Sequence, residues 1–171
     1  MLEELNEIEP PRKNLFATKK LAYAKGERPK VDCILCGVVE KNPEVPNLTI
    51  HETELSIISV NLYPYNPGHT IIFPKRHTTV LTDLSDAEVL DMYKLRVKMM
   101  KILSEKWSCS GFNIGYNLGK FAGGSIPHIH EHIVPRFMNE SGFLDVLAGT
   151  RVVIYEPFQM LEELRKFWEE M

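Results

Sequence analysis

The sequence predicts an α+β domain, and three observations carry that expectation. Runs rich in Ile, Val and Thr alternate with turn residues over positions 48–73. A long stretch, 85–107, carries apolar residues at helical spacing behind a capping signal. A His-x-His-x-His run, His128 to His132, has the two-residue period of a strand.

In chain order, residues 1–30 read as an N-terminal extension, broken at Pro10-Pro11. A short helix is expected within 15–30, stopped at Gly26 and Pro29. Residues 48–60 read as a hairpin, Leu48–Ile50 and Leu55–Val60 around a polar turn at Glu52-Thr53-Glu54. A Pro/Gly-punctuated loop over 61–68 leads into a strand, His69–Phe73, closed by Pro74. The helix over 85–107 opens on Ser85-x-x-Glu88, a capping box. Its apolar stripe is read as Val89, Tyr93, Val97, Met100, Leu103 and Trp107, facing a sheet. Further strands are expected over Phe112–Asn117, 126–134 and 151–155, with Pro135-Arg136 ending the second of these. A C-terminal helix over 157–170 places Phe158, Leu161, Leu164 and Trp168 on one side.

Composition excludes several classes of function. The 171 residues are 44% hydrophobic and 25% charged, enough for one domain with a core. A net charge of −3 and a pI near 6.1 provide no global basic field for nucleic acid. No apolar run approaches the roughly 18 residues of a membrane span. The N-terminus is acidic where a signal peptide is basic, so a cytoplasmic protein with no membrane partner is expected. Three cysteines cannot close a disulfide set, and Cys33-x-x-Cys36 in a reducing compartment suggests a metal or redox site. Cys109 reads as a structural thiol at the end of the long helix.

His128, His130 and His132 project from one face of a strand, while Ile129, Glu131 and Ile133 face the other way. Glu131 on that second face needs a partner or an edge position. Three aligned imidazoles suit either a metal or nucleophilic attack on phosphorus. The Gly-rich stretch before them, 111–124, favours a phosphate-bearing substrate. Gly119, Gly123 and Gly124 let backbone N–H groups approach an anion, and Asn117 and Ser125 add neutral donors. Cys33 and Cys36 supply half of a four-ligand zinc site, with His51, His69, His77 and one of the triad as candidates for the rest. A redox role is the weaker alternative, because no βαβ setting surrounds the motif.

These residues resemble a known family. Gly68-His69-Thr70, Pro74-Lys75-Arg76-His77, Asn117-Leu118-Gly119, Ala122-Gly123-Gly124-Ser125 and His128 through Arg136 follow the order of the histidine triad (HIT) superfamily of nucleotide hydrolases and transferases. The resemblance runs from about Leu15 to Tyr155. It is strongest to the diadenosine tetraphosphate hydrolase and phosphorylase branch, through Leu62–His69, Gly111–Gly119 and Leu147–Val153. It implies a HIT-like fold, an antiparallel sheet of about five strands with a long helix and a C-terminal helix, and makes 31–171 the HIT domain. It also implies a homodimer formed through the sheet and the long helix, with Tyr93 and Trp107 partly in the interface.

The resemblance implies that His130 is the nucleophile, attacking the α-phosphate of an adenine dinucleoside polyphosphate or a nucleoside monophosphate derivative. His132 and His69 would line the phosphate site, and Asn61 would contact the ribose. Asn117, Gly124 and Ser125 would surround the phosphates. Cys33, Cys36, His77 and His128 would hold a structural zinc, a closed Cys2His2 set. An adenosine phosphoramidase or a non-catalytic nucleotide-binding protein are the alternatives. Two departures stand out: Gly124 where many members have Gln, and Glu131 where an apolar residue is usual. The first favours the dinucleoside polyphosphate branch. The second lies off the site-facing side, so activity is expected to survive it.

Overall fold

Continuous apolar runs in the first half of the chain build the centre of a sheet covered on both faces. The computed structural model describes residues 29–138 and 156–171. The helix expected within 15–30 and the strand over 151–155 fall outside these, apart from Pro29 and Lys30. Strands β1 (Thr49–Glu52), β2 (Ser56–Val60), β3 (Thr70–Pro74), β4 (Gly111–Tyr116) and β5 (Glu131–Arg136) form one antiparallel sheet in the order β1-β2-β3-β5-β4. Helix α1 spans Ile34–Val39, α2 Asp86–Lys106 and α3 Pro157–Glu170. Among the described residues, no helix is long and apolar enough to cross a membrane.

Every residue of β2 and β3 is buried. That is why they read as unbroken apolar runs and not as an alternating pattern. Ile58 and Ile72 face α2 and α3, packing with Met99, Ile102, Leu103, Leu164 and Trp168. Ile57, Ile71 and Phe73 face the other way, onto α1 through Leu35 and Val38, with Val45 beside them. Each such buried side chain contributes about 1.5–3 kcal/mol relative to exposure.

The capping box at Ser85 forms as expected: its side chain accepts from the Glu88 N–H, and the Glu88 carboxylate accepts from the Ser85 N–H. Glu88 also pairs with Arg76 at 2.8 Å. The guanidinium holds its carboxyl down to about 2, with the Ser85 hydrogen bonds adding to the effect. The box therefore ties the start of α2 to the segment after β3.

The expected stripe on this helix is corrected. The buried row is Met92, Leu95, Met99, Ile102 and Leu103. Of the residues expected inside, Val89, Tyr93 and Val97 are 52%, 51% and 45% exposed. Leu103 is in the core, and Met100 and Trp107 pack at its margin. The helix carries two apolar rows about one residue apart in phase, and periodicity alone cannot say which meets the sheet. Phe158 on α3 is likewise exposed; Met160 joins Leu161, Leu164 and Trp168 inside.

The strand expected over 126–134 is also corrected. β5 starts only at Glu131, where both Ile72 on β3 and Tyr116 on β4 become its partners. Pro135 and Arg136 are its last two residues and do not lie beyond it. β3 stops pairing at Ile133, so the proline sits where one side of β5 has no ladder to lose. Helix α1, just after Cys33, is an element the sequence reading did not assign.

Candidate functional site

The loop before β3 and the segment entering β5 bring the histidines together. Gly68 has φ +80°, and a Cβ there would lie 2.8 Å from Leu103 and 2.9 Å from Pro135. Only glycine lets the chain turn there into His69, which is fully buried. The residues before β5 bend at 126–128 and join no ladder, and they are held where the Ile129 N–H donates to the Thr78 carbonyl at 2.8 Å. The three triad histidines nonetheless share one side of the sheet, as their spacing predicts, with Ile133 in the core opposite.

They do not form one site. His128 turns towards the cysteines. Its Nδ1 lies 3.5 Å from Cys33 Sγ and 3.6 Å from Cys36 Sγ, and His77 Nδ1 lies 3.2 Å from Cys36 Sγ. One donor atom from each of the four residues falls within 4.8 Å of all the others, so the cluster could hold a metal ion. Sulfur and nitrogen ligands on a zinc tetrahedron are about 3.5 Å apart, so the spacing fits. His128 Nε2–H donates to the Pro74 carbonyl at 2.9 Å, which leaves Nδ1 as the ligand atom. Burial, and then Cys33, push the Cys36 thiol up to about 11. His51 and His69, the other candidates, lie elsewhere: His51 stacks on Trp168 at 5.1 Å, and His69 joins the second cluster.

That second cluster is His69, His130 and His132. His130 Nδ1–H donates to the His128 carbonyl at 2.7 Å, which leaves a lone pair on Nε2. The Tyr65 backbone N–H donates to His69 Nδ1 at 3.0 Å, so the proton of neutral His69 sits on Nε2. From there it donates to His132 Nδ1 at 2.9 Å, which puts the His132 proton on its own Nε2. A single backbone amide thus fixes two tautomers in series. The side-chain amides of Asn61 and Asn117 lie 3.2 Å from His69 Nε2 and His132 Nε2. Burial pushes all three imidazoles below their ordinary value, His69 to about 3 and His132 to about 4. They are neutral at pH 7.

The Gly-rich loop closes on itself beside Asn117. Gly123 and Gly124 donate their N–H groups to the carbonyls of Lys120 and Gly119, so these two N–H groups serve the turn. A Cβ at Gly124 would lie 2.6 Å from the Asn117 carbonyl oxygen. Glycine is therefore required for the loop to reach the asparagine. Ser125 is exposed.

Tyr65 was not singled out from sequence, yet its ring lies 4.7 Å from that of His69 and 6.0 Å from that of His132. Its place four residues before His69 in a turn-rich loop was legible; the direction of its N–H was not. Glu131 does have partners, Arg96 and Tyr116, neither of which the sequence suggested.

A five-stranded antiparallel sheet whose β5 segment gives one histidine to a cysteine-containing cluster and two to a second histidine cluster defines the class, and comparison with known proteins names it. The HIT domain family model matches residues 42–139, and the chain belongs to the HIT family. It is 35% identical over 130 residues to an AP-4-A phosphorylase of Mycobacterium tuberculosis, covering 72% of this chain and 65% of that protein. The chain thus matches a little under two thirds of that relative's length. An uncharacterized HIT-like protein of Methanocaldococcus jannaschii is 33% identical over 133 residues, covering 78% of this chain and 98% of that protein. Among solved structures, a Zn-bound histidine triad family protein from Mycobacterium smegmatis superposes with a TM-score of 0.67 at 28% identity, covering 81% of this chain and 94% of that one.

Proposed function

We propose that this protein cleaves dinucleoside polyphosphates of the diadenosine tetraphosphate kind at the α-phosphate, through a nucleotidyl intermediate on His130. The observation that carries the reading is the 2.7 Å hydrogen bond from His130 Nδ1 to the His128 carbonyl, in a site where burial keeps the ring neutral. Nε2 attacks phosphorus, a P–N bond forms, and the P–O bond to the departing nucleotide breaks with its electron pair. Water or inorganic phosphate then attacks the same phosphorus, the P–N bond breaks, and Nε2 regains its lone pair. His132 offers Nε2–H to the developing charge, and His69 fixes that tautomer. Asn61 contacts the ribose, and Asn117, Gly124 and Ser125 surround the phosphates. The resemblance of the sequence to the phosphorylase relative supports this substrate class.

Cys33, Cys36, His77 and His128 hold a structural zinc in this reading. When bound, zinc supplies charge neutralisation for two thiolates and anchors the chain one residue before His130's neighbour Ile129. With four protein ligands it has no open position for substrate.

The exposed row Val89, Leu90, Tyr93 and Val97 on α2 and the edge of β4, which pairs only with β5 among the described residues, are the proposed homodimer contact. Light scattering should give twice 19.7 kDa; a monomer at working concentration overturns the dimer. The protein acts in the cytoplasm, with no nucleic-acid or membrane partner. Product analysis with diadenosine tetraphosphate, with and without inorganic phosphate, tests the activity. ATP plus AMP in both conditions identifies water as acceptor; ATP plus ADP only with phosphate identifies a phosphorylase. No turnover in either removes the reading and makes adenosine phosphoramidate the next substrate.

A further inference from the structure

Glu131 is a buried carboxylate that the proposed chemistry does not use. It is 2% exposed and lies between His130 and His132, with its side chain on the opposite face of the sheet. Both of its oxygens are taken. Oε1 accepts from Arg96 Nη1 at 2.7 Å, and Oε2 accepts from the Tyr116 hydroxyl at 2.7 Å. Arg96 belongs to α2 and lies over the Tyr93 ring at 5.0 Å, which restrains it from outside. Tyr116 is the last residue of β4 and stands opposite Glu131 in register. Burial, and then Glu131, push the Tyr116 hydroxyl upward, so it remains a donor.

Such a cluster is an expensive way to fill space. An apolar residue would pack between α2 and the sheet without the desolvation that a buried ion pair carries. What the carboxylate adds is direction, through two short hydrogen bonds roughly set by helix and strand at once. The place where it adds direction matters. Upstream of Glu131 the histidine-bearing segment has no ladder, and at Glu131 it enters the sheet between β3 and β4. A slip of one residue there would carry His130 and His132 to the other face.

We propose that Glu131 is a positioning residue: its double anchorage to Arg96 and Tyr116 fixes where β5 enters the sheet and so aims His130 and His132 into the site. The kinetic side of this proposal rests on His130 being the nucleophile; the geometric side does not.

The experiment compares the full-length wild type with Glu131→Leu, Glu131→Gln and Tyr116→Phe. Each is followed by diadenosine tetraphosphate kinetics and by ¹⁵N resonances of the His130 and His132 rings. Glu131→Leu is expected to melt no lower than a few degrees below the wild type and to keep its KM within about twofold. Its kcat falls roughly tenfold or more, because small misplacements of a reacting group are costly. The two ring resonances shift or broaden with it. Glu131→Gln, which keeps one acceptor oxygen and puts an NH2 in place of the other, recovers part of kcat, and Tyr116→Phe loses less than Leu. Wild-type kcat and unchanged ring resonances in Glu131→Leu would reduce the cluster to packing and overturn the proposal. Should that variant not fold, Tyr116→Phe decides by the same two readouts. If the wild type itself does not turn over substrate, the nucleophile reading fails, and the ring resonances alone decide positioning.

Discussion

His128 and His130 sit two residues apart on the same side of one segment, yet their environments have little in common. His128 ties Nε2 to the Pro74 carbonyl and turns Nδ1 to two sulfur atoms. His130 ties Nδ1 to the His128 carbonyl and leaves Nε2 for the site. The side chain is the same in both cases. The backbone carbonyl that takes one ring nitrogen decides what the other can do. One histidine belongs to a cluster rich in soft donors that suits a closed metal site, and the other to a nitrogen-only cluster that suits chemistry. The His128 carbonyl joins them: the residue that would be held by the metal is the one that orients the proposed nucleophile.

The comparison breaks most sharply at His130. His130→Ala should lower diadenosine tetraphosphate turnover by at least about 10⁴-fold, the scale seen when a nucleophile is removed. Nucleotide binding and metal content should stay near wild type. Appreciable residual turnover, measured in single-turnover assays, would take the nucleophile's role away from His130 and merge the two clusters into one functional unit.

Cys33→Ser probes the other side. Metal analysis of the wild type should find one zinc per chain, and the variant should lose most of it, with a lower melting temperature. Turnover should fall roughly 10–100-fold, the size of an effect passed through a supporting interaction and not through the reacting atoms. A wild type without zinc, or a variant with unchanged turnover, would show that the His128 carbonyl needs no metal to hold it.

The smallest expected effect is on stability against pH. His69 and His132 are held at about 3 and about 4 in the folded protein, against an ordinary value of 6.5. Below 6.5 the unfolded chain takes up protons that these buried rings refuse, so stability falls as pH drops from there towards 4. The carboxyl of Glu88, held at about 2 against 4.5, adds its own loss only below that window. Melting temperature should therefore decline between about pH 6.5 and pH 4.5, and less steeply in His69→Asn. A flat profile would mean that the second cluster is not as dry as its burial indicates.

Legibility in the sequence followed the length scale of the signal. The capping box at Ser85 and Glu88 was readable because both halves lie within one helical turn. The five paired strands were readable because β-branched runs and turn residues are local. The two phases of α2 were not, since Val89, Tyr93 and Val97 make as good a stripe as Met92, Leu95 and Met99 until a sheet chooses between them. The start of β5 was not readable either, because pairing depends on where β3 and β4 stop.

By itself the sequence determined the family through the spacing of His69, His77 and the triad, the one-sided alignment of three imidazoles, and the four residues of the metal cluster once the resemblance was drawn. Tertiary structure alone decided which ring nitrogen each histidine presents, because that depends on carbonyls and amides from Pro74, His128 and Tyr65. It alone gave Glu131 its partners on α2 and β4. Residue type and spacing are properties of the chain. Hydrogen-bond direction and a buried charge's counterpart belong to segments distant in sequence, and they exist only once the sheet and its helices have come together.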